Sequence, residues 1–137
     1  MTKRTALILK RDLPPGQIGN VCAILMAEVS RAVPETLATT KVTDLNGLNH
    51  AAPQFNVLVL KANGSEQLRN TVATIRTAQP ELIVFGFSAV GQSLNNQFEV
   101  YREKISNLTT EACGLVGIAV SGEDAAVRMA TKKFSLM

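Results

Sequence analysis

The chain has 137 residues, 46% of them apolar, with 14 Lys and Arg against 11 Asp and Glu for a net charge of +3. A chain of this length buries about 68% of its unfolded surface in one core, so a single domain over residues 1–137 is expected. Charged residues make up 18%, which excludes the disordered class, and the scattered lysines and arginines do not make a dedicated nucleic-acid-binding domain.

Hydrophobic period alternates along the chain between short runs and helical stripes. Residues 5–9 (TALIL) read as a buried strand. After Pro14-Pro15-Gly16, the spacing of Ile18, Val21, Cys22, Leu25, Met26 and Val29 predicts a helix that Pro34 stops. Residues 35–54 give no clear period, although Asp44-Leu45-Asn46-Gly47 reads as a turn, as in a small hairpin. Residues 55–62 (FNVLVLKA) predict a second strand. Asn63 and Glu66 then resemble a capping box before a helix carrying Leu68, Val72 and Ile75, which Pro80 ends.

Residues 81–88 (ELIVFGFS) predict a third strand. Leu94, Phe98, Tyr101, Ile105 and Leu108 then recur at helical spacing. Residues 112–120, near-continuously apolar, predict a fourth strand buried on both faces. Ser121 and Asp124 form a second capping pattern, opening a last helix over about residues 122–132. Strand and helix alternating four times is the α/β signature, a four-stranded, mostly parallel sheet with helices on both faces.

The longest apolar run, residues 112–120, is about half the roughly 20 residues that a membrane-spanning helix needs. The N-terminus lacks the apolar length of a signal peptide. Cys22 and Cys113 are far apart, and His50 is the one histidine, so the four N or S ligands of a zinc site are missing. No metal or cofactor is expected, and the setting expected is a reducing cytoplasm.

Open α/β sheets hold ligands at the carboxyl ends of their strands. The first such end brings Lys10, Arg11 and Asp12 to Gly16, Gln17, Gly19 and Asn20, where cations and free helix N–H groups suit an anion or carbonyl. The plainer reading, which carries more weight, is a tight turn capped by Asp12, with Gly19 letting helix and sheet approach. The spacing matches neither a Walker loop nor a dinucleotide fingerprint. The end of the third strand offers Ser88 and Gln92. Ser88 has no G-x-S-x-G elbow and no base but His50, so capping the next helix by Ser88 or Ser93 is the better reading. His50 reads first as a solvated loop residue, and it and Asp12 are the weak candidates for a catalytic base. Cys22 and Cys113 read as core. Lys132 and Lys133 suit a helix C-terminus better than a phosphate.

The strand–RDLPPG–helix opening, Asp44, Gly47 and His50 in a D-x-x-G-x-x-H stretch, Phe87, Ser88 and Gln92, and the closing GIAVSG and TKKFSLM segments together resemble the family catalogued as domain of unknown function number 2000, over essentially the full length. That family resembles in turn the type II peptidyl-tRNA hydrolases. The resemblance implies a three-layer α/β/α sandwich with a four-stranded mixed sheet, commonly paired as a homodimer. It does not carry the hydrolase's chemistry. The hydrolase lysine falls on Gln17, its histidine on Ile24, its aspartate on Phe87 or Gly86 and its threonine on Gly91, with the glutamine alone kept as Gln92. A shared fold with a replaced site implies a changed function.

The preferred reading is therefore a protein that binds a small polar or anionic ligand in a crevice formed by Arg11, Gly16, Gln17, Asn20, Ser88 and Gln92, and is not a peptidyl-tRNA hydrolase. The alternative is a hydrolase or transferase acting on a nucleotide- or peptide-like substrate in the same crevice, with His50 or Asp12 as base. The partners expected are a small-molecule ligand and a second copy of the chain, with neither membrane nor nucleic acid.

Overall fold

The N-terminal apolar run forms a strand with no exposed face. In the computed structural model, which describes residues 2–137, this strand is β1 (Lys3–Lys10), and Ala6, Leu7, Ile8 and Leu9 are at most 2% exposed. Ala6 and Ile8 enter one hydrophobic cluster and Leu7 and Leu9 the other, as the period of two requires.

Pro15, with its φ preset, stands at the first turn of α1 (Pro15–Ala32), which buries Val21, Leu25 and Val29 and stops ahead of Pro34. The segment with no clear period is a short 3-10 turn (Pro34–Thr36) and an exposed hairpin of β2 (Val42–Thr43) and β3 (Asn49–His50). Its turn is the one the sequence suggests. The Asp44 carboxylate accepts the Asn46 and Leu48 N–H groups at 2.8 and 3.1 Å, and Gly47 takes φ +86°, which favours glycine.

β4 (Asn56–Ala62) leads into α2 (Ser65–Ala78). The capping box here is displaced by one residue, because Gln67 rather than Glu66 accepts the Asn63 N–H, at 2.7 Å. β5 (Ile83–Ser88) is followed not by one helix through Leu94 but by α3 (Ala89–Ser93), a loop and α4 (Phe98–Ser106). The break falls where Asn96 adopts φ 63°, a left-handed conformation that asparagine tolerates. The expected fourth strand begins three residues late. Thr109 caps a short α5 (Thr110–Cys113), which Gly114 ends, and β6 covers Leu115–Glu123.

The last helix, α6 (Asp124–Thr131), is shorter than the sequence predicts and lacks the Ser121 cap. Ser121 stays in β6, and its hydroxyl bonds that of Thr5 at 2.9 Å across the sheet. Asp124 instead accepts from Arg4 Nε and Arg128 Nε, each at 2.7 Å. The C-terminal β7 (Ser135–Leu136) pairs with β4, so the sheet has five strands rather than four, in the order β5-β6-β1-β4-β7. It is mixed, but it is not mostly parallel. Only β1 and β4 run parallel as neighbours, whereas β6 lies antiparallel between β1 and β5. The chain passes from β5 through α3, α4 and α5 before β6 enters between β1 and β5 and runs against both, whereas the α1 crossover returns the chain parallel to β1.

Two layers of helix cover the sheet. α1 packs on Leu7, Leu9, Phe87, Val116 and Ala119, and α2 with α6 packs on the opposite face. The glycine that lets α1 approach the sheet is Gly117, not Gly19. A Cβ on Gly117 would meet Val21 Cγ1 at 3.1 Å, whereas one on Gly19 meets open space.

Arg4 is the buried cation of this frame, its side chain 7% exposed and paired with Asp124. The bonds from Arg4 and then Arg128 hold the Asp124 carboxyl below its ordinary value of 3.8. A carboxyl with a lowered folded pKa contributes stability that is present above its unfolded pKa and is lost as pH falls through the folded one. Thermal denaturation between about pH 7 and pH 2 should therefore show Asp124→Asn less stable at neutral pH, with a smaller loss than wild type below pH 3.8. Equal acid losses in the two proteins would overturn this assignment.

Candidate functional site

Because β6 runs against both β1 and β5, while β4 runs with β1, the carboxyl ends of β1, β4 and β5 lie along one edge of the sheet. The loops that leave this edge carry nearly every polar residue singled out in the sequence. They are not gathered into one crevice.

Gly16, Gln17, Asn20, Gln92 and Asn95 line a depression of about 270 Å³ between the first turns of α1 and the α3 loop. Gln17 and Asn20, three apart, share one face of α1. Gln92 Nε2 donates to Gln17 Oε1 at 3.2 Å and ties the two elements together. All four polar side chains are carboxamides, so the wall offers donors and acceptors and no formal charge. Asn95 is the member that sequence reasoning missed, because a helix running through Leu94 would have put it on the helix surface.

Ser88 does not join this depression. Side chains alternate along β5, so Phe87 packs under α1 while Ser88 turns to the α2 side. A bulge assists there: Phe87 pairs with Gly117 but Ser88 pairs with Leu115, leaving Val116 unpaired with β5. Ser88 is 3% exposed, and its oxygen accepts the Gly91 N–H at 3.3 Å, the helix cap preferred from sequence.

Arg11 is also apart. Its backbone N–H donates to Ala62 O at 2.9 Å, extending the β1–β4 ladder, and its Nη1 donates to Asn63 Oδ1 at 3.1 Å. It thereby enters a basic depression of about 90 Å³ with Lys61 and Lys133, whose ammonium sits 5.3 Å from the Phe134 ring centroid.

Neither candidate base lines the carboxamide depression. His50 Nε2 lies 2.8 Å from Asp44 Oδ2 on the exposed hairpin, and that bond, followed by those from the Asn46 and Leu48 N–H groups, holds the Asp44 carboxyl below the usual range. Asp12 is exposed, 3.9 Å from Lys10 Nζ. Cys22 and Cys113 are both free thiols, and burial pushes the Cys22 thiol up. Among the described residues no group of three or more His, Cys, Asp and Glu side chains gathers to hold a metal, and no helix is long and apolar enough to cross a membrane.

Comparison with known proteins gives a family and a fold. A family model described as "Protein of unknown function (DUF2000)" matches residues 3–137. No curated protein matches the sequence. Among solved structures, a protein of unknown function from Agrobacterium tumefaciens strain C58 superposes with a TM-score of 0.85, over 100% of this chain and 98% of that one, at 20% sequence identity. A likeness at that identity speaks to the fold alone.

Proposed function

The chain belongs to the DUF2000 family, whose function is not assigned, and from that premise we propose that it binds a small polar ligand in the carboxamide depression of Gly16, Gln17, Asn20, Gln92 and Asn95. The observation that supports this most is the Gln92–Gln17 hydrogen bond, which holds α1 and the α3 loop at a fixed separation at the carboxyl ends of β1 and β5. Four carboxamides with no charge among them suit a neutral ligand that both donates and accepts, such as an amide or the edge of a nucleobase. An anionic ligand fits less well, since Arg11 is drawn away to Asn63. The enzyme reading has no nucleophile–base pair at this depression to support it.

Neutral amides and nucleobases, titrated into isotope-labelled protein, should shift the side-chain NH₂ resonances of Gln17, Asn20, Gln92 and Asn95. Gln92→Ala should weaken the best of these probes about 2- to 12-fold, the worth of one hydrogen bond. Saturable shifts confined to other residues would overturn the assignment.

The same reading excludes peptidyl-tRNA hydrolysis. That ester needs a group to stabilise developing negative charge and a base or water-positioning carboxylate. The positions where the resemblance puts the lysine and the aspartate hold Gln17 and Phe87, and Phe87 packs in the core at 9% exposure. Hydrolysis of a labelled N-blocked aminoacyl-tRNA should run at least about 100-fold below a type II enzyme assayed alongside. Turnover within tenfold of that control would overturn the exclusion.

The proposal extends to a cytoplasmic homodimer. Val42, Leu45 and Leu48 on the hairpin and Leu136 on β7 are 48–105% exposed, apolar surface that a second copy would cover. Sedimentation at micromolar concentration should give a species of about twice the 14.7 kDa chain. A single species at the chain mass would count against it.

A further inference from the structure

The other side of β5 carries a cavity unlike the carboxamide depression. It encloses about 190 Å³ between α2, the face of β5 that bears Val84, Gly86 and Ser88, and the α4–α5 segment. Its body is aliphatic, formed by Val72, Val84, Ile105 and Leu115. Gly86 lets the Leu115 side chain lie close over β5, since a Cβ there would stand 2.9 Å from Leu115 Cδ2.

Polar groups converge on this apolar body without being used up by the fold. The Ser88 oxygen accepts the Gly91 N–H, which leaves the hydroxyl proton to donate into the cavity. The Cys113 thiol, free and 8% exposed, lines the same wall, with the Tyr101 and Thr110 side chains beside it. Arg76, on the last turn of α2, is the one charged residue of the lining. Among the described residues no carboxylate lies within ion-pair distance of it. Apolar walls, a few convergent polar groups and a single unpaired cation are the features of a small-molecule site.

We propose that this cavity is a second binding site, for a small aliphatic carboxylate whose anion meets Arg76 and whose hydrocarbon body packs on Val72, Val84, Ile105 and Leu115. The sign of the charge follows from the lining, which has a guanidinium and no acid. The size follows from the volume: at the roughly 30 Å³ that a liquid water occupies, about 190 Å³ suits about six or seven non-hydrogen atoms, as in a branched or linear acid of about five carbons. The site stands independently of the carboxamide depression, because the alternation of β5 sets the two on opposite faces of the sheet.

Isovalerate is the probe, with isovaleramide as its uncharged counterpart. Titrated into isotope-labelled full-length protein, isovalerate should shift the backbone amides of Gly86, Ser88, Cys113 and Leu115 saturably and bind at least about tenfold more tightly than isovaleramide. Arg76→Gln, at an exposed position with no ion-pair partner, should abolish that preference while the melting temperature stays within a degree or two. Gly86→Val should remove binding of both probes, because the new side chain would push Leu115 into the cavity. Should Gly86→Val fail to fold, Arg76→Gln alone decides the question. The proposal is overturned if isovalerate causes no saturable shift at these amides, if acid and amide bind wild type equally, or if Arg76→Gln leaves the preference intact. Shifts at Gly16, Gln17 and Asn20 instead would assign the acid to the other depression and also overturn it.

Discussion

Everything in this fold hangs on a strand that has no solvent face. β1 must be covered above and below and bonded along both edges, and each requirement recruits a different part of the chain. Leu7 and Leu9 call for α1, Ala6 and Ile8 for α2 and α6, and the two edges for β4 and β6. Burying a side chain such as Leu or Ile fully is worth about 1.5–3 kcal/mol, so the pattern of β1 alone accounts for much of the drive to close the layers. The one charged residue on the strand that is buried, Arg4, meets the same constraint by finding a carboxylate at the start of α6.

The strand order then decides what chemistry can meet. β1, β4 and β5 end on one edge, yet each hands its loop to a different neighbour: Arg11 turns toward β4, Gln17 toward α3, and Ser88 toward α2. Alternation on β5 divides the edge into a neutral, hydrogen-bonding side under α1 and an aliphatic side under α2. A crevice that pooled all these residues would need Phe87 and Ser88 on the same face, which a pleated strand does not allow.

Much of this was legible in the residues. The four apolar runs, the α1 stripe and the turn at Asp44 to Gly47 carry strong local signals, because their period or turn chemistry has one physical solution. The joining of Gln17, Asn20 and Gln92 could also be anticipated from strand ends. What could not be read depended on tertiary context. Ser121 has the residue type of a cap but is spent on Thr5 across the sheet. The stripe from Leu94 to Leu108 looks continuous, yet Asn96 takes a left-handed conformation and splits it. A two-residue strand such as β7 has too few residues to show a period, and the direction of β6 is set by the two strands it joins rather than by any residue in it.

The pairing of β1 with β6 reaches across almost the whole chain, Lys3 lying opposite Glu123. On a ribosome adding about 5–20 residues per second, β1 waits several seconds or more for the partner that closes its second edge. Until then the strand is paired on one edge alone, by the parallel β4, and the other ladder of peptide groups stays open to any strand in the surroundings. The open edge belongs to one of the most hydrophobic strands of the fold, and relief comes only once β6 has been made.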